Sequence, residues 1–384
     1  MGNIAVWVTI AVYIGMMIAV GIITGRQSKS IADFTVGGRN AGAWISALSY
    51  GTAYFSAVMF VGYAGGTGLN FGLWGILAGI GNAVFGSYLA WKVLAKRTRQ
   101  VSARLKIKTM PQLLESRYNS SAMKIFSSVV IFIFLIPYSA SVYKGLASVA
   151  EVLLGIDVTV CMIIIALMSM VLLLFGGYFV QARADFLQGI VMMLGVALLI
   201  IVVLRSSVVG GVQGIVDYAR TSAGLPKLAA GQWVSLLATV LMTSFGTWGL
   251  PQMVQKYFGI KDDSQVQKGI VISTFFGFLI AGGGYFIGSL CHMFFTAGVD
   301  MPAQDYIVPM MLKAASIPNV LLGVVIVLLI SASVSTLCSI TLTASSTFTI
   351  DLLKVRLKEK LSDKNASAVI KVLCVLFVIL SYVV

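Results

Sequence analysis

Charge is what this chain has least of: 10% of its residues are Asp, Glu, Lys or Arg, against roughly 25% in a soluble globular domain. Carboxylates are scarcest, 13 against 27 Lys and Arg. There is one histidine, His292, near the outer end of an apolar segment, read as an interfacial polar residue rather than a proton relay. The four cysteines, Cys161, Cys291, Cys338 and Cys374, lie in apolar segments without a CxxC pair, so neither a disulfide frame nor a metal site is expected. No nucleophile–base pair, metal cluster or phosphate loop is present. No catalytic residue, transition-metal site or organic cofactor can therefore be named, and an enzyme is poorly supported.

What fills the space is apolar: 59% of residues are hydrophobic and the mean hydropathy is +0.97. Runs near the ~20 residues that cross a bilayer recur along the whole length. The chain reads as an all-α polytopic membrane protein with ten spans, at 4–25, 44–66, 72–95, 123–153, 159–178, 185–204, 233–257, 267–297, 319–350 and 367–384. A net charge of +14 would imply nucleic acid in a soluble chain, but all except five of the Lys and Arg fall in the connections around 26–39, 92–124, 183, 256–268 and 354–371. That asymmetry orients the protein in a plasma (inner) membrane, with the N-terminus outside, and makes the bilayer rather than nucleic acid the partner. The exceptions are Lys144, Arg205, Arg220, Lys227 and Lys313.

The first span has no basic n-region and Arg26 follows it, so it reads as a retained span rather than a signal peptide. The connection from Lys96 to Arg117 is basic and amphipathic, with Pro111 opening a surface helix against anionic headgroups. The outer connection 206–232 is Gly-rich and polar, and 299–318, bracketed by Pro302 and Pro318, is expected to form a short external helix. Leu373 to Val384 is still apolar at the last residue, from which a longer parent protein is inferred.

Two segments carry chemistry. Of the nineteen residues from Ser331 to Thr349, eleven are Ser or Thr and none is charged, although Val320 to Leu329 before them is apolar apart from one glycine. Lipid-facing surface has no use for so many hydroxyls, so this half of the ninth span faces a polar cavity or bonds back to its own carbonyls. Ser335 and Ser339 share a face, Thr336 sits beside them, and the Ala332 carbonyl lies one turn before Thr336. In the second span, Gly51 within Ser46–Ala57 marks either a helix break or a small-residue packing face. A break would expose carbonyls suited to a hard cation such as sodium.

Three ordered motifs resemble the sodium:solute symporter family, most of all its proline-transporting branch. They are Asp33-Phe34-Thr35-Val36-Gly37-Gly38-Arg39; Gly176-Gly177-Tyr178 with Ala184-Asp185-Phe186-Leu187-Gln188; and Ser335-Thr336-Leu337 with Ala344-Ser345-Ser346 and Asp351-Leu352-Leu353-Lys354. The resemblance implies a leucine-transporter-type fold: an extra first span, 4–25, then a five-helix repeat at 44–204 and an inverted, incomplete one at 233–384, within one transporter domain. It implies sodium as coupling ion, held by the carbonyls of Thr52, Phe55 and Ala332 and the hydroxyls of Ser335 and Thr336. A second sodium at Asp185 and Ser339 is a further implication, weakened because Cys338 replaces another hydroxyl. Asp185 can equally be a carboxylate placed at a helix N-terminus.

By position, the substrate pocket would use Tyr54, Ser56, Tyr138, Thr243, Thr247 and Trp248, with Pro251 breaking the seventh span. Proline-specific members carry aromatics where this chain has Thr243 and Thr247. Lys144 is expected near the outer surface, snorkelling or meeting a substrate carboxylate. The expected activity is sodium-coupled import of a small organic solute (an amino acid such as proline, or a carboxylate, sugar or vitamin) by alternating access. The other class in view is a symporter-like sensor domain of a membrane histidine kinase. The sequence leaves the oligomeric state open.

Overall fold

The computed structural model describes residues 2–26, 30–295, 301–315, 317–357 and 362–384. Lys29, Lys358 and Lys360, counted above with the inner connections, lie outside the described residues. Among the described residues seven helices are long and apolar enough to cross a membrane. Ten expected spans fit into that pattern because some helices hold two spans and others are interrupted.

Helix α1 (Gly2–Gly25) is the first span. A short helix α2 (Ile31–Val36) follows, started by a capping box in which Ser30 accepts from the Asp33 amide and Asp33 returns the bond to Ser30. Gly37, Gly38 and Arg39 then all take positive φ. This turn aims the Arg39 guanidinium at Ser102 Oγ (2.6 Å) and the Ile107 carbonyl (2.7 Å).

The second span is two half-helices, α3 (Ala43–Tyr54) and α4 (59–71), separated at Phe55 and Ser56. Gly51 is not the break. It is helical and buried, and a Cβ there would collide with the Phe276 ring, so the packing reading holds for this glycine. The third span, α5 (72–105), runs on into the basic connection. Thr109 caps α6 (Met110–Tyr118), with Pro111 in its first turn as expected.

After α7 (Ser121–Leu154), the fifth and sixth spans form α8 (Val158–Arg205), which is interrupted at Gly176 and Gly177. Gly177 has φ 57°, and its missing side chain lets the Phe34 carbonyl approach. A short helix α9 (Gly211–Ala219) lies in the connection 206–232. The seventh span is again broken: α10 (Ala230–Phe245) stops, and α11 (Pro251–Phe258) restarts with Pro251 in its first turn. Then follow α12 (Asp263–Phe294), the expected short helix α13 (Ile307–Ala314), α14 (Asn319–Arg356) and α15 (Asp363–Val383).

The hydroxyl-rich α14 is the most enclosed of the seven candidate spans: 72% of its apolar window is buried, against 28–50% in the others. Every residue from Val325 to Thr347 on it is buried. From Val325 onward the apolar lead-in is therefore core, whereas Val320 is exposed, and the hydroxyls face protein rather than lipid. All four cysteines are buried. His292 is held by the Leu69 carbonyl at 3.0 Å. Lys144, 77% exposed, pairs with Asp305 at the protein surface at 3.7 Å.

Candidate functional site

The break in the second span and the hydroxyl face of α14 meet. Thr336 Oγ1 lies 2.9 Å from the Ala332 carbonyl oxygen, 3.3 Å from that of Thr52 and 3.4 Å from that of Ala53. Ser335 Oγ lies 2.8 Å from Thr52 Oγ1 and donates to Asp185 Oδ1 at 2.7 Å. Thr52, Ala332, Ser335 and Thr336 are all buried. Phe55 sits at the break itself, just beyond the end of α3. Oxygens held at about 2.4 Å by one cation of calcium-like radius stand about 3.4 Å apart in an octahedral array. Sodium has nearly that radius, so the spacing of Thr336 Oγ1 from the α3 carbonyls suits a single hard cation.

Asp185 departs from the reading of a carboxylate at a helix N-terminus. It lies inside the sixth-span part of α8, eight residues beyond Gly177, and is completely buried rather than placed at a helix N-terminus. Its carboxylate is already engaged. Oδ1 accepts from Ser335; Oδ2 accepts from Ser49 Oγ (2.5 Å) and from Lys256 Nζ (2.9 Å). Lys256 was expected in an inner connection. Instead its side chain is 2% exposed, and its ammonium also donates to Ser49 Oγ at 2.8 Å and lies 5.1 Å from the centre of the Tyr178 ring. A buried charge must be paired, and this pair joins α11 to α8.

Ser339 is not a partner of Asp185. The Gln181 carboxamide satisfies its neighbours with Oε1 accepting from the Ser339 amide (3.0 Å), the Ser339 hydroxyl (2.5 Å) and Lys256 Nζ (3.2 Å). Other α14 hydroxyls are placed variously, and the Oγ atoms of Ser331, Ser333, Ser345 and Ser346 are buried without a hydrogen-bond partner among the described residues. Thr343 reaches Gln255 on α11, whereas Thr349 bonds back to Ser345.

Above the break lies a cavity of about 300 Å³, lined by Tyr54, Ser56, Tyr138, Thr243 and Thr247, five of the six residues expected there. Trp248 is not among its lining residues: its indole donates to the Phe85 carbonyl at 3.0 Å and its ring packs on Phe245. The sequence reading missed Asn82, Tyr63 and Tyr285, which also line it. Tyr54 Oη lies 2.5 Å from Asn82 Oδ1 and 2.8 Å from the Thr243 carbonyl, joining the second, third and seventh spans. An Asn inside an apolar span is a signal that could have found Asn82. The lining residues include no formally charged side chain.

On the α3 side, Tyr50, Trp91 and Tyr257 pack ring on ring beneath Tyr54 with centroids 5.5–5.7 Å apart. On the other side, Tyr63 and Met242 are shared with a second cavity of about 420 Å³. The cavity thus continues in one direction and is packed shut in the other.

The comparisons agree with this architecture. The chain is 26% identical over 374 residues to the osmoregulated proline transporter OpuE of Bacillus subtilis (strain 168), covering 94% of this chain and 74% of that protein. It is 27% identical over 275 residues to the sodium/proline symporter of Staphylococcus aureus (strain bovine RF122 / ET3-1), covering 69% of this chain and 52% of that protein. Its fold matches a Na+-coupled sialic acid symporter solved in a substrate-bound outward-open state, with a TM-score of 0.85 at 19% identity over 99% of this chain and 80% of that one. The fold is thus the leucine-transporter type expected, in a multi-pass membrane protein. The model of the sodium:solute symporter family matches residues 34–384, and the chain belongs to that family of secondary transporters, which are not enzymes.

Proposed function

We infer that this protein imports a small uncharged or zwitterionic solute together with sodium, by alternating access across the plasma membrane. The observation that carries the reading is the approach of Thr336 Oγ1 on α14 to the Thr52 carbonyl at the end of α3. A cation held there would tie α14 to the broken second span and stabilise the arrangement in which the solute cavity opens outward. In this reading the sodium ligands are the carbonyls of Thr52, Phe55 and Ala332 and the hydroxyls of Ser335 and Thr336. Sodium is cargo, and no other cofactor is invoked.

Inward-facing Lys and Arg give the orientation, with the N-terminus outside; removing Lys256 from that tally leaves the asymmetry in place. The inverted-repeat division at 44–204 and 233–384 goes with the same reading, supported by the first span of each half being the broken one. None of the relatives named above is a sensor, and the histidine-kinase alternative has no observation in its favour.

For the solute, the chemistry of the cavity is the guide. Its ~300 Å³ lies at the small end of small-molecule pockets, ~300–1,000 Å³. Without a lining Arg or Lys, a carboxylate would rely on the N-terminal end of α4, next to Ser56, whose backbone dipoles favour negative charge. An amino acid such as proline satisfies these limits, with Tyr54, Ser56, Asn82, Tyr138, Thr243 and Thr247 as contacts. The potential then contributes about 2.3 kcal/mol per 100 mV for each sodium charge.

Uptake of labelled proline, other neutral amino acids, carboxylates, sugars and vitamins into proteoliposomes, with and without an inward sodium gradient, tests the reading. Sodium-dependent accumulation of a neutral or zwitterionic compound is the expected result. Equal uptake of every compound without sodium would overturn it.

A further inference from the structure

The ammonium of Lys256 has an oxygen acceptor for each of its three hydrogens. Nζ lies 2.9 Å from Asp185 Oδ2, 2.8 Å from Ser49 Oγ and 3.2 Å from Gln181 Oε1. The Tyr178 ring, its centre 5.1 Å away, adds a face that favours positive charge. A carboxylate, a hydroxyl and a carboxamide oxygen around one point are the donors that a hard metal cation also takes. Here the point is held by a side chain of the protein itself.

The carboxylate is saturated by this arrangement. Asp185 Oδ2 accepts from Ser49 and Lys256, and Oδ1 accepts from Ser335. Two positions on α14 that could add ligands are turned elsewhere: Ser339 bonds to Gln181, and Cys338 Sγ lies 3.6 Å from the Ser169 carbonyl. The Lys256 and Asp185 side chains are buried together, so the pair sets the charge balance at this point. That balance is neutral. A sodium ion added to it would be an uncompensated buried charge beside an ammonium.

We propose, on the sodium reading above, that the Lys256 ammonium is a tethered cation. It stands where a free cation would otherwise have to neutralise Asp185, and it thereby fixes the coupling at one sodium per solute. The ammonium is present whether or not sodium is, so the link from α11 through α8 to Ser335 on α14 does not follow the sodium gradient. The ion beside Thr336 is then the single one that moves. One positive charge crosses with each neutral or zwitterionic solute.

Equilibrium binding of radiolabelled sodium to the purified full chain in detergent, without solute, tests this. One sodium per chain at saturation is expected. Lys256→Ala removes the ammonium and leaves open space beside Asp185, so the count should rise to two. Its thermal unfolding should also depend more steeply on sodium than that of the wild type, because a second ion now binds the folded state. Lys256→Met with Asp185→Asn, which leaves neither charge, should bind one. A wild-type count of two, or a Lys256→Ala count that stays at one, would overturn the proposal while leaving the sodium site beside Thr336 standing. Should Lys256→Ala not fold, the uncharged double variant decides. One sodium retained there supports the tethered cation, whereas its loss would show that Asp185 holds the wild-type ion and overturn it. A wild-type count of zero would overturn the sodium reading and this proposal together.

Discussion

Lys256 Nζ stands 2.9 Å from Asp185 Oδ2, with side-chain exposures of 2% and 1%. This contact brings the second half of the seventh span against the sixth. Through Ser335, which donates to the other Asp185 oxygen, it reaches the hydroxyls beside the second-span break. The ammonium thereby fixes the carboxylate that orients a candidate sodium ligand.

Removing one partner of such a pair leaves an uncompensated buried charge. Lys256→Met should cost ~3–5 kcal/mol, and Lys256→Met with Asp185→Asn markedly less, because the second change removes the stranded charge. Thermal unfolding of the detergent-purified variants reads this directly. A double variant as unstable as the single would show that the pair is not the source of the loss.

For the sodium ligands, Ser335→Ala and Thr336→Ala should each raise the sodium concentration for half-maximal uptake, by roughly tenfold for a lost ligand worth ~1–1.5 kcal/mol. The proline concentration dependence at saturating sodium should move less. Sodium titrations of uptake for the two variants check the assignment, and unchanged sodium dependence in both would sink it.

Asn82→Ala should act the other way. It removes the group that Tyr54 Oη approaches at 2.5 Å and that lines the cavity proposed for the solute. The half-saturating solute concentration should rise by roughly 5- to 150-fold, the range for one unsatisfied buried polar group at ~1–3 kcal/mol. Sodium dependence should stay close to wild type. A variant that changes only sodium dependence would misplace Asn82.

Gly51→Val separates packing from flexibility. The site has no room beside Phe276, so overpacking should cost ~1–3 kcal/mol in thermal stability. Adding Phe276→Ala should recover part of the loss. No recovery would mean that Gly51 serves the backbone rather than the interface.

Much of this was legible in particular residues. The apolar runs located the spans, Pro251 located the restart of the seventh, and Pro111 that of the surface helix. The hydroxyl run from Ser331 indicated a polar face on an otherwise apolar helix. Five of the six residues expected by position line the 300 Å³ cavity, among fourteen lining residues in all. The misses share a cause. Gly51 was a candidate break because glycine permits one, but whether it breaks or packs depends on Phe276, 225 positions away in sequence. Trp248 was assigned to the solute by position, whereas its ring is taken by Phe245 and its N–H by Phe85.

Lys256 shows the division most clearly. By itself the sequence determined that the chain crosses a membrane repeatedly, because transfer free energies sum locally along each span. It also determined that two segments are too polar for lipid. Only the tertiary structure decided that a lysine at the edge of a span turns inward, that its partner is Asp185, and that Gln181 claims Ser339. Such choices depend on which oxygen atoms from distant spans converge on one buried charge. The cost of leaving that charge unpaired is set by the assembled interior, not by its neighbours in the chain.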